Sequence, residues 1–140
     1  MVERGRVAHV PEAEKAEKIT INLGIVDLGR IDLLVAEGFY TNRTDLIRTA
    51  IRNHLDASGE AISQTVKRRT LVLGSEHYGR NRLEEWRADG EMVHIRVLGL
   101  ATVAGDVPPD LAVATIASVE VLGAFRASPE VKKALASRIT

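Results

Sequence analysis

Polar and apolar residues alternate over residues 18–23, Lys-Ile-Thr-Ile-Asn-Leu, with the period of a β-strand that buries one face. Ile19, Ile21 and Leu23 share the face that would be buried. A single strand cannot satisfy its own backbone, and the chain continues into helices rather than into a hairpin. The pattern therefore favours an antiparallel ribbon in which this strand pairs with the same strand of a second copy.

Two helical segments follow this strand. The first is predicted to end at Gly38, a residue type that favours the left-handed conformation after a helix. The second is predicted from about residue 43 to about residue 56, with Asn42 as its N-cap and Asp45 favourably placed in its first turn. Apolar residues at helical spacing support both segments: Leu28, Ile31, Leu34 and Val35 in the first, and Leu46, Ile47, Ala50, Ile51 and Leu55 in the second.

The second half of the chain has less regular patterns, which predict a small α+β domain after the N-terminal strand and helices. The predicted elements are a resumed helix at 60–69, a short helix containing Leu83 and Trp86, strands at 92–98 and 116–122, and a final helix capped by Ser128. The predicted organisation is a flexible tail at 1–17, a first domain at 18–56, a partly helical basic linker at 57–82, and a second domain at 83–140.

The tripeptide Val-Leu-Gly occurs three times, at 72–74, 97–99 and 121–123, with intervals of 25 and 24 residues. Repeat architectures have periods in this range. Strand ends in small sheets also commonly have this composition, and the sequence favours that simpler interpretation. The alternative is that the three tripeptides belong to the rungs of a small solenoid.

Charge is balanced over the whole chain but not within each segment. Nineteen basic and nineteen acidic residues give a formal net charge of zero. Residues 18–56 carry five of each sign, whereas residues 57–82 carry five basic and two acidic side chains. Since electrostatic attraction acts through local patches, the zero total does not exclude a polyanionic partner. The chain has no long apolar segment and no signal-peptide pattern, so we expect a cytoplasmic protein without a membrane partner.

The chain lacks the residue patterns of a metal site or a catalytic centre. It contains no cysteine, and His9, His54, His77 and His94 are scattered without the spacing of metal ligands. It also contains no glycine-rich phosphate loop and no nucleophile with a matched base. The sequence therefore predicts no enzymatic activity, no cofactor and no metal.

Residues 18–56 resemble the ribbon-helix-helix DNA-binding proteins, the family that includes the Arc, MetJ and CopG repressors. The resemblance is carried by the strand at 18–23, by the first helix ending at Gly38-Phe39, and by the run Asn-Arg-Thr-Asp-Leu-Ile-Arg at 42–48. It implies a dimer that places a two-stranded ribbon in the major groove of double-stranded DNA, where each base pair presents a distinct pattern of donors and acceptors.

The resemblance also assigns roles to individual residues. Lys18, Thr20 and Asn22 occupy the base-reading positions. Asn42, Arg43 and Thr44 lie where free backbone N–H groups at a helix start would bind a phosphate. Further candidates for DNA backbone contacts are Arg48, Lys67, Arg68 and Arg69, for which a solvated surface is an equal alternative, as it is for Arg52. The dimer core would contain Ile19, Ile21, Leu23, Ile47 and Ile51.

Three functions are compatible with these features. The first is a nucleoid-associated transcriptional repressor, dimeric or assembled into tetramers or larger species through its C-terminal half. The second is an antitoxin whose C-terminal half binds a toxin protein and which represses its own operon. The third is a structural or polymerising protein that DNA anchors.

Overall fold

The computed structural model describes residues 16–140, so the predicted flexible tail lies almost wholly outside the described residues. The chain divides into two compact units, an N-terminal unit of residues 18–65 and a C-terminal unit that contains residues 66–140. Both helices and strands are present, which confirms the predicted mixed composition.

The N-terminal unit contains the predicted pair of helices. Helix α1 spans Ile25–Ala36 and helix α2 spans Arg43–Ala57. Helix α3, Gly59–Arg69, follows directly and contains the boundary between the two units. Residues 16–24 form neither a helix nor a hydrogen-bonded strand in the single chain. A strand needs a hydrogen-bonded neighbour, so the single chain does not test the predicted ribbon.

The predicted turn between the first two helices is present. Gly38 has φ +84°, the left-handed conformation expected after a helix. The N–H of Phe39 donates to the carbonyl of Leu34 at 3.0 Å, and the N–H of Gly38 donates to that of Val35 at 3.1 Å. These contacts satisfy carbonyl groups at the end of α1 that have no partner within the helix.

Strands and helices alternate in the C-terminal unit. The elements are β1 (Val72–Tyr78), α4 (Arg80–Ala88), β2 (Val93–Val103), α5 (Pro109–Thr115), β3 (Ile116–Arg126), α6 (Pro129–Ala134) and a final 3₁₀ turn (Ala136–Arg138). The three strands form one parallel sheet in the order β1-β2-β3. Alternation with a parallel sheet is an α/β arrangement, whereas the sequence led us to expect an α+β domain.

The core of the C-terminal unit lies between the sheet and its helices. The largest fully buried apolar side chains come from α4, β2, β3, α5 and α6 and from the residue after α6: Leu83, Ile95, Val97, Leu111, Ile116, Val119, Val131 and Leu135. Strands β2 and β3 supply four of these side chains, and β1 contributes Tyr78 at its end. Each strand is followed by a helix, so one strand and its helix form one repeating unit, called a rung here, of the C-terminal unit.

The three Val-Leu-Gly tripeptides lie side by side in the sheet, one in each strand. Val72 pairs with Val97, which pairs with Val121, and the leucines and glycines follow in the same register. Gly74, Gly99 and Gly123 have φ values of +124°, +139° and +127°. Each strand thus bends at its glycine and continues beyond it, so β2 and β3 extend past the predicted ends at 98 and 122.

The segment predicted as a basic linker, 57–82, is structured. It contains all of α3, all of β1 and the start of α4. The sequence did not indicate β1 because Gly74, Ser75, Glu76 and His77 interrupt the apolar pattern, and because a strand at the edge of a sheet needs few apolar residues.

Candidate nucleic-acid interface

The residues predicted to read DNA bases precede α1 and are accessible in the single chain. Lys18, Thr20 and Asn22 are exposed. The alternating apolar residues are exposed as well, with Ile19 75%, Ile21 58% and Leu23 41% accessible. The single chain therefore presents both the polar and the apolar residues of the predicted ribbon to solvent.

Apolar exposure extends across the whole N-terminal unit. No residue of 18–65 is buried. Of the predicted dimer core on α2, Ile47 is half-buried and Ile51 is exposed. Leu33 and Phe39 add further exposed apolar surface to the same unit. The apolar stripes of the two helices are therefore half-buried at most in the single chain.

The start of α2 is fixed by a reciprocal pair of caps. The N–H of Asp45 donates to Asn42 Oδ1 at 2.8 Å, which confirms Asn42 as the N-cap. The N–H of Thr41 in turn donates to Asp45 Oδ2 at 3.0 Å. At the first two helical positions, the N–H groups of Arg43 and Thr44 have no intrahelical acceptor. Together with the helix dipole, these two donors can bind an anion.

The side chain of Arg43 contacts a carboxylate of α1. Its Nε and one terminal nitrogen donate to the two oxygens of Asp32 at 2.7 and 2.8 Å. The hydrogen bond from Arg43 lowers the pKa of Asp32, and the same bond raises the pKa of Arg43. This ion pair joins α1 to the start of α2. It uses two of the five guanidinium N–H donors, so the other three and the backbone N–H of Arg43 remain for the predicted phosphate contact.

An open depression of about 270 Å³ lies beside the start of α2. Asn42, Thr44 and Asp45 line it together with two arginines one helical turn apart, Arg48 and Arg52. The depression thus brings residues at the start of α2 together with two arginines of the same helix.

The basic run at the end of α3 is only partly free to contact DNA. Lys67 and Arg68 are exposed. Arg69 instead forms an ion pair with Glu120 of β3, which also accepts from Arg96 Nε at 3.2 Å. The predicted backbone contact by Arg69 competes with this pair.

Two positions were not identified as site residues from the sequence. Asp32 lies on the polar face of α1, and no pattern in the sequence indicates that it pairs with Arg43. Arg52 was recognised as four residues from Arg48, but the sequence did not distinguish it from a solvated helix residue. In the structure it lines the same depression as Asn42 and Thr44.

The described residues were compared with the requirements of a metal site and of a membrane-spanning helix. Residues 16–140 contain no group of three or more His, Asp and Glu side chains arranged to hold a metal ion. No helix within the same range is long and apolar enough to cross a membrane.

Comparison with known proteins identifies one family. The model of the ribbon-helix-helix transcriptional regulator family matches residues 14–132, which include the N-terminal unit, the whole parallel sheet and part of α6. No curated protein and no solved structure matches the chain. The match extends well beyond the residues 18–56 that carry the resemblance in sequence, and it covers most of the 140 residues. The chain belongs to the ribbon-helix-helix transcriptional regulator family.

Proposed function

We propose that this protein is a sequence-specific repressor that binds double-stranded DNA as a homodimer. Members of its family are DNA-binding transcriptional regulators. The roles proposed below for individual residues depend on the N-terminal unit.

The observation that carries the proposal is the absence of any buried residue between positions 18 and 65. Burial of apolar surface is the main favourable term in folding, so a unit without it needs a second surface. Ile19, Ile21 and Leu23 alternate as required for a strand with one buried face. A second copy supplies an identical strand and identical helices, and two-fold pairing of these elements buries the apolar residues of both chains.

Pairing of the strands leaves their polar face outward. Lys18, Thr20 and Asn22 then form a six-residue polar surface with two-fold symmetry. Lysine can donate to guanine, asparagine can pair with adenine through two hydrogen bonds, and threonine can contact either a polar base edge or the thymine methyl group. This chemistry suits base recognition in the major groove.

Phosphate binding at the start of α2 would position the ribbon in the groove. The N–H groups of Arg43 and Thr44 supply two donors at the helix start. The guanidinium groups of Arg48 and Arg52 line the depression that Thr44 also lines. Such contacts fix the register of a protein on DNA without reading sequence. A dimer carries this arrangement twice.

Selection of binding sites from a random DNA pool tests the proposal. We expect the full-length protein to enrich paired half-sites related by a two-fold axis, because a symmetric dimer reads symmetric DNA. Failure to enrich any sequence, with retention of weak and salt-sensitive binding to all DNA, would contradict sequence-specific recognition. Repression is then tested by placing the selected site in a promoter.

The antitoxin interpretation makes a separate prediction about the C-terminal unit. Antitoxin segments that wrap a toxin usually order only on binding, whereas an α/β unit with a buried core needs no partner to fold. We therefore prefer the repressor. Stoichiometric binding to the product of an adjacent small gene would favour the antitoxin instead.

A further inference from the structure

We propose that the C-terminal unit associates end to end with the C-terminal unit of a second copy, adding the β1 strand of one chain to the β3 strand of the next. This association continues the internal repeat across a chain boundary. It is independent of the ribbon-mediated dimer and goes beyond DNA recognition.

The internal repeat makes the two outer edges of the sheet complementary. β2 pairs with β1 along one edge, and β1 has the same Val-Leu-Gly sequence at the same level. The open edge of β1 therefore repeats the edge of β2 to which β1 is bonded. β3 also has this sequence at the same level as β2. The open edge of β3 therefore repeats the edge of β2 to which β3 is bonded. A strand like β3 therefore fits the open side of β1, as β1 itself fits β2.

Apolar side chains of the two outer strands are more exposed than their equivalents in the middle strand, which has a neighbour on each side. In the middle strand, Val97 is fully buried and Leu98 is half-buried. At the β1 edge the equivalent Leu73 is 68% accessible, and at the β3 edge Leu122 is 45% accessible. Stacking would place Leu122 of one chain over Leu73 of the next and cover part of both.

The glycines give the stack a direction. A Cβ added to Gly99 would overlap the carbonyl oxygen of Gly74, and one added to Gly123 would overlap that of Gly99. Each glycine carbonyl therefore points towards the glycine of the following rung. The same addition at Gly74 meets no atom within 4 Å, so its side of β1 is open to the carbonyl of a preceding rung. Gly123 of another copy supplies that carbonyl.

The outer edge of β3 already accepts an extended segment in the parallel sense. Ile139 forms a parallel bridge with Val119, and the N–H of Thr140 donates to the carbonyl of Val119 at 2.9 Å. This segment covers the first part of the edge. In the register of the repeat, β1 of another copy would begin beside Val121, beyond the Val119 that Ile139 pairs with. At the far end of β3 the side chain of Arg126 contacts residues 16 and 17, so the proposed pairing uses the edge from Val121 to Phe125.

End-to-end contact of this kind is heterologous, because each chain uses two different edges. Such contacts do not close on themselves unless the rotation forms a ring. Since each chain also joins a partner through its ribbon, stacking would link dimers to one another. On DNA, linked dimers would occupy adjacent sites cooperatively.

The test is the mass of the full-length protein in solution without DNA, measured by sedimentation velocity over a wide range of concentration. We expect species larger than a dimer whose mass rises with concentration. Leu73→Lys and Leu122→Glu should each reduce the protein to dimers, because each places a charge at an apolar junction. The double variant Leu73→Lys/Leu122→Glu should regain the large species, because opposite charges then meet at every junction.

Met92→Lys is the matched control. Met92 precedes β2, is 48% accessible and lies outside both edge strands, so the same added charge should leave assembly unchanged. Circular dichroism of each variant establishes that the parallel sheet is retained, and recovery of assembly in the double variant shows that both single substitutions are compatible with folding.

Two results would overturn the proposal. One is a wild-type protein that remains dimeric at every concentration. The other is a closed tetramer that Leu73→Lys disrupts and Leu122→Glu leaves intact, since this outcome indicates pairing of two β1 edges. Both are measured without DNA, so neither depends on whether the protein recognises a DNA sequence.

Discussion

Asn42 and Ser128 each cap one helix through the same kind of hydrogen bond. Asn42 Oδ1 accepts from Asp45 at 2.8 Å, and Ser128 Oγ accepts from Val131 at 3.2 Å. We expect Asn42→Ala and Ser128→Ala each to cost about 1 kcal/mol of stability. Only Asn42→Ala should also weaken binding to every DNA sequence, since it disturbs the donors at the start of α2. Thermal unfolding and DNA titration of both variants test this, and an equal loss of DNA binding by Ser128→Ala would contradict it.

Asp32 couples the geometry of α1 and α2 to pH. Because Arg43 lowers the pKa of Asp32 in the folded state, the pair stabilises the protein above the unfolded pKa of about 3.9, and its contribution is lost as pH falls through the lowered pKa. We expect Asp32→Asn to melt below the wild type at neutral pH, with a difference that disappears in acid.

Asp27→Asn is the control for this pH dependence. Asp27 lies on the same helix, 3.6 Å from Arg30, and does not bridge two helices. Asp27→Asn should therefore lower the melting temperature at neutral pH by less than Asp32→Asn does. A melting difference for Asp32→Asn that stays constant down to strongly acidic pH would contradict a stabilising role for the ionised carboxylate.

At the scale of elements, the glycine bends hold the three strands in register. Gly74→Ala should cost about 1–3 kcal/mol, because alanine is strained at φ +124°. Gly99→Ala has the same strain and also overlaps the Gly74 carbonyl, which should cost about 1–3 kcal/mol more. Denaturant unfolding at low protein concentration measures the difference, and equal costs at the two positions would show that the close approach is absent in solution.

The sequence predicted elements with local signals better than those defined by their neighbours. Helix α2 was predicted within a residue because Asn42 caps it and an apolar stripe continues through it. Strand β1 was missed because hydrogen bonds to β2, rather than its own composition, define it. The strand ends were placed too early because a glycine with positive φ usually terminates a strand, whereas here it bends one.

In the candidate site too, features that depend on neighbouring residues were predicted and contacts between distant residues were not. The N-cap and the positions of the free N–H groups follow from residues adjacent in sequence. The pairing of Arg43 with Asp32 and of Arg69 with Glu120 depends on interactions across 11 and 51 positions, for which the sequence has no periodic signal. The ribbon itself needs a second chain, so no property of one chain could define it completely.

For the whole molecule, zero net charge is consistent with DNA binding through a few placed donors. Arg48→Ala/Arg52→Ala should weaken binding to specific and random DNA alike, and should reduce the slope of log affinity against log salt by about 0.9 for each phosphate that the variant no longer neutralises. The control Arg80→Ala/Arg87→Ala removes two arginines from α4 and should leave the slope unchanged. Fluorescence anisotropy across a salt series measures both, and an unchanged slope in the first variant would exclude these arginines from the interface.

The ratio of specific to non-specific DNA affinity measures whether the polar face of the ribbon reads DNA sequence. We expect Lys18→Ala/Thr20→Ala/Asn22→Ala to remain dimeric, to bind random DNA weakly and to lose its preference for the selected site. The control Ser63→Ala/Gln64→Ala/Lys132→Ala removes one hydroxyl, one amide and one lysine from exposed positions elsewhere and should retain the wild-type ratio. A triple ribbon variant that still prefers the selected site by the wild-type ratio would show that other residues read the sequence.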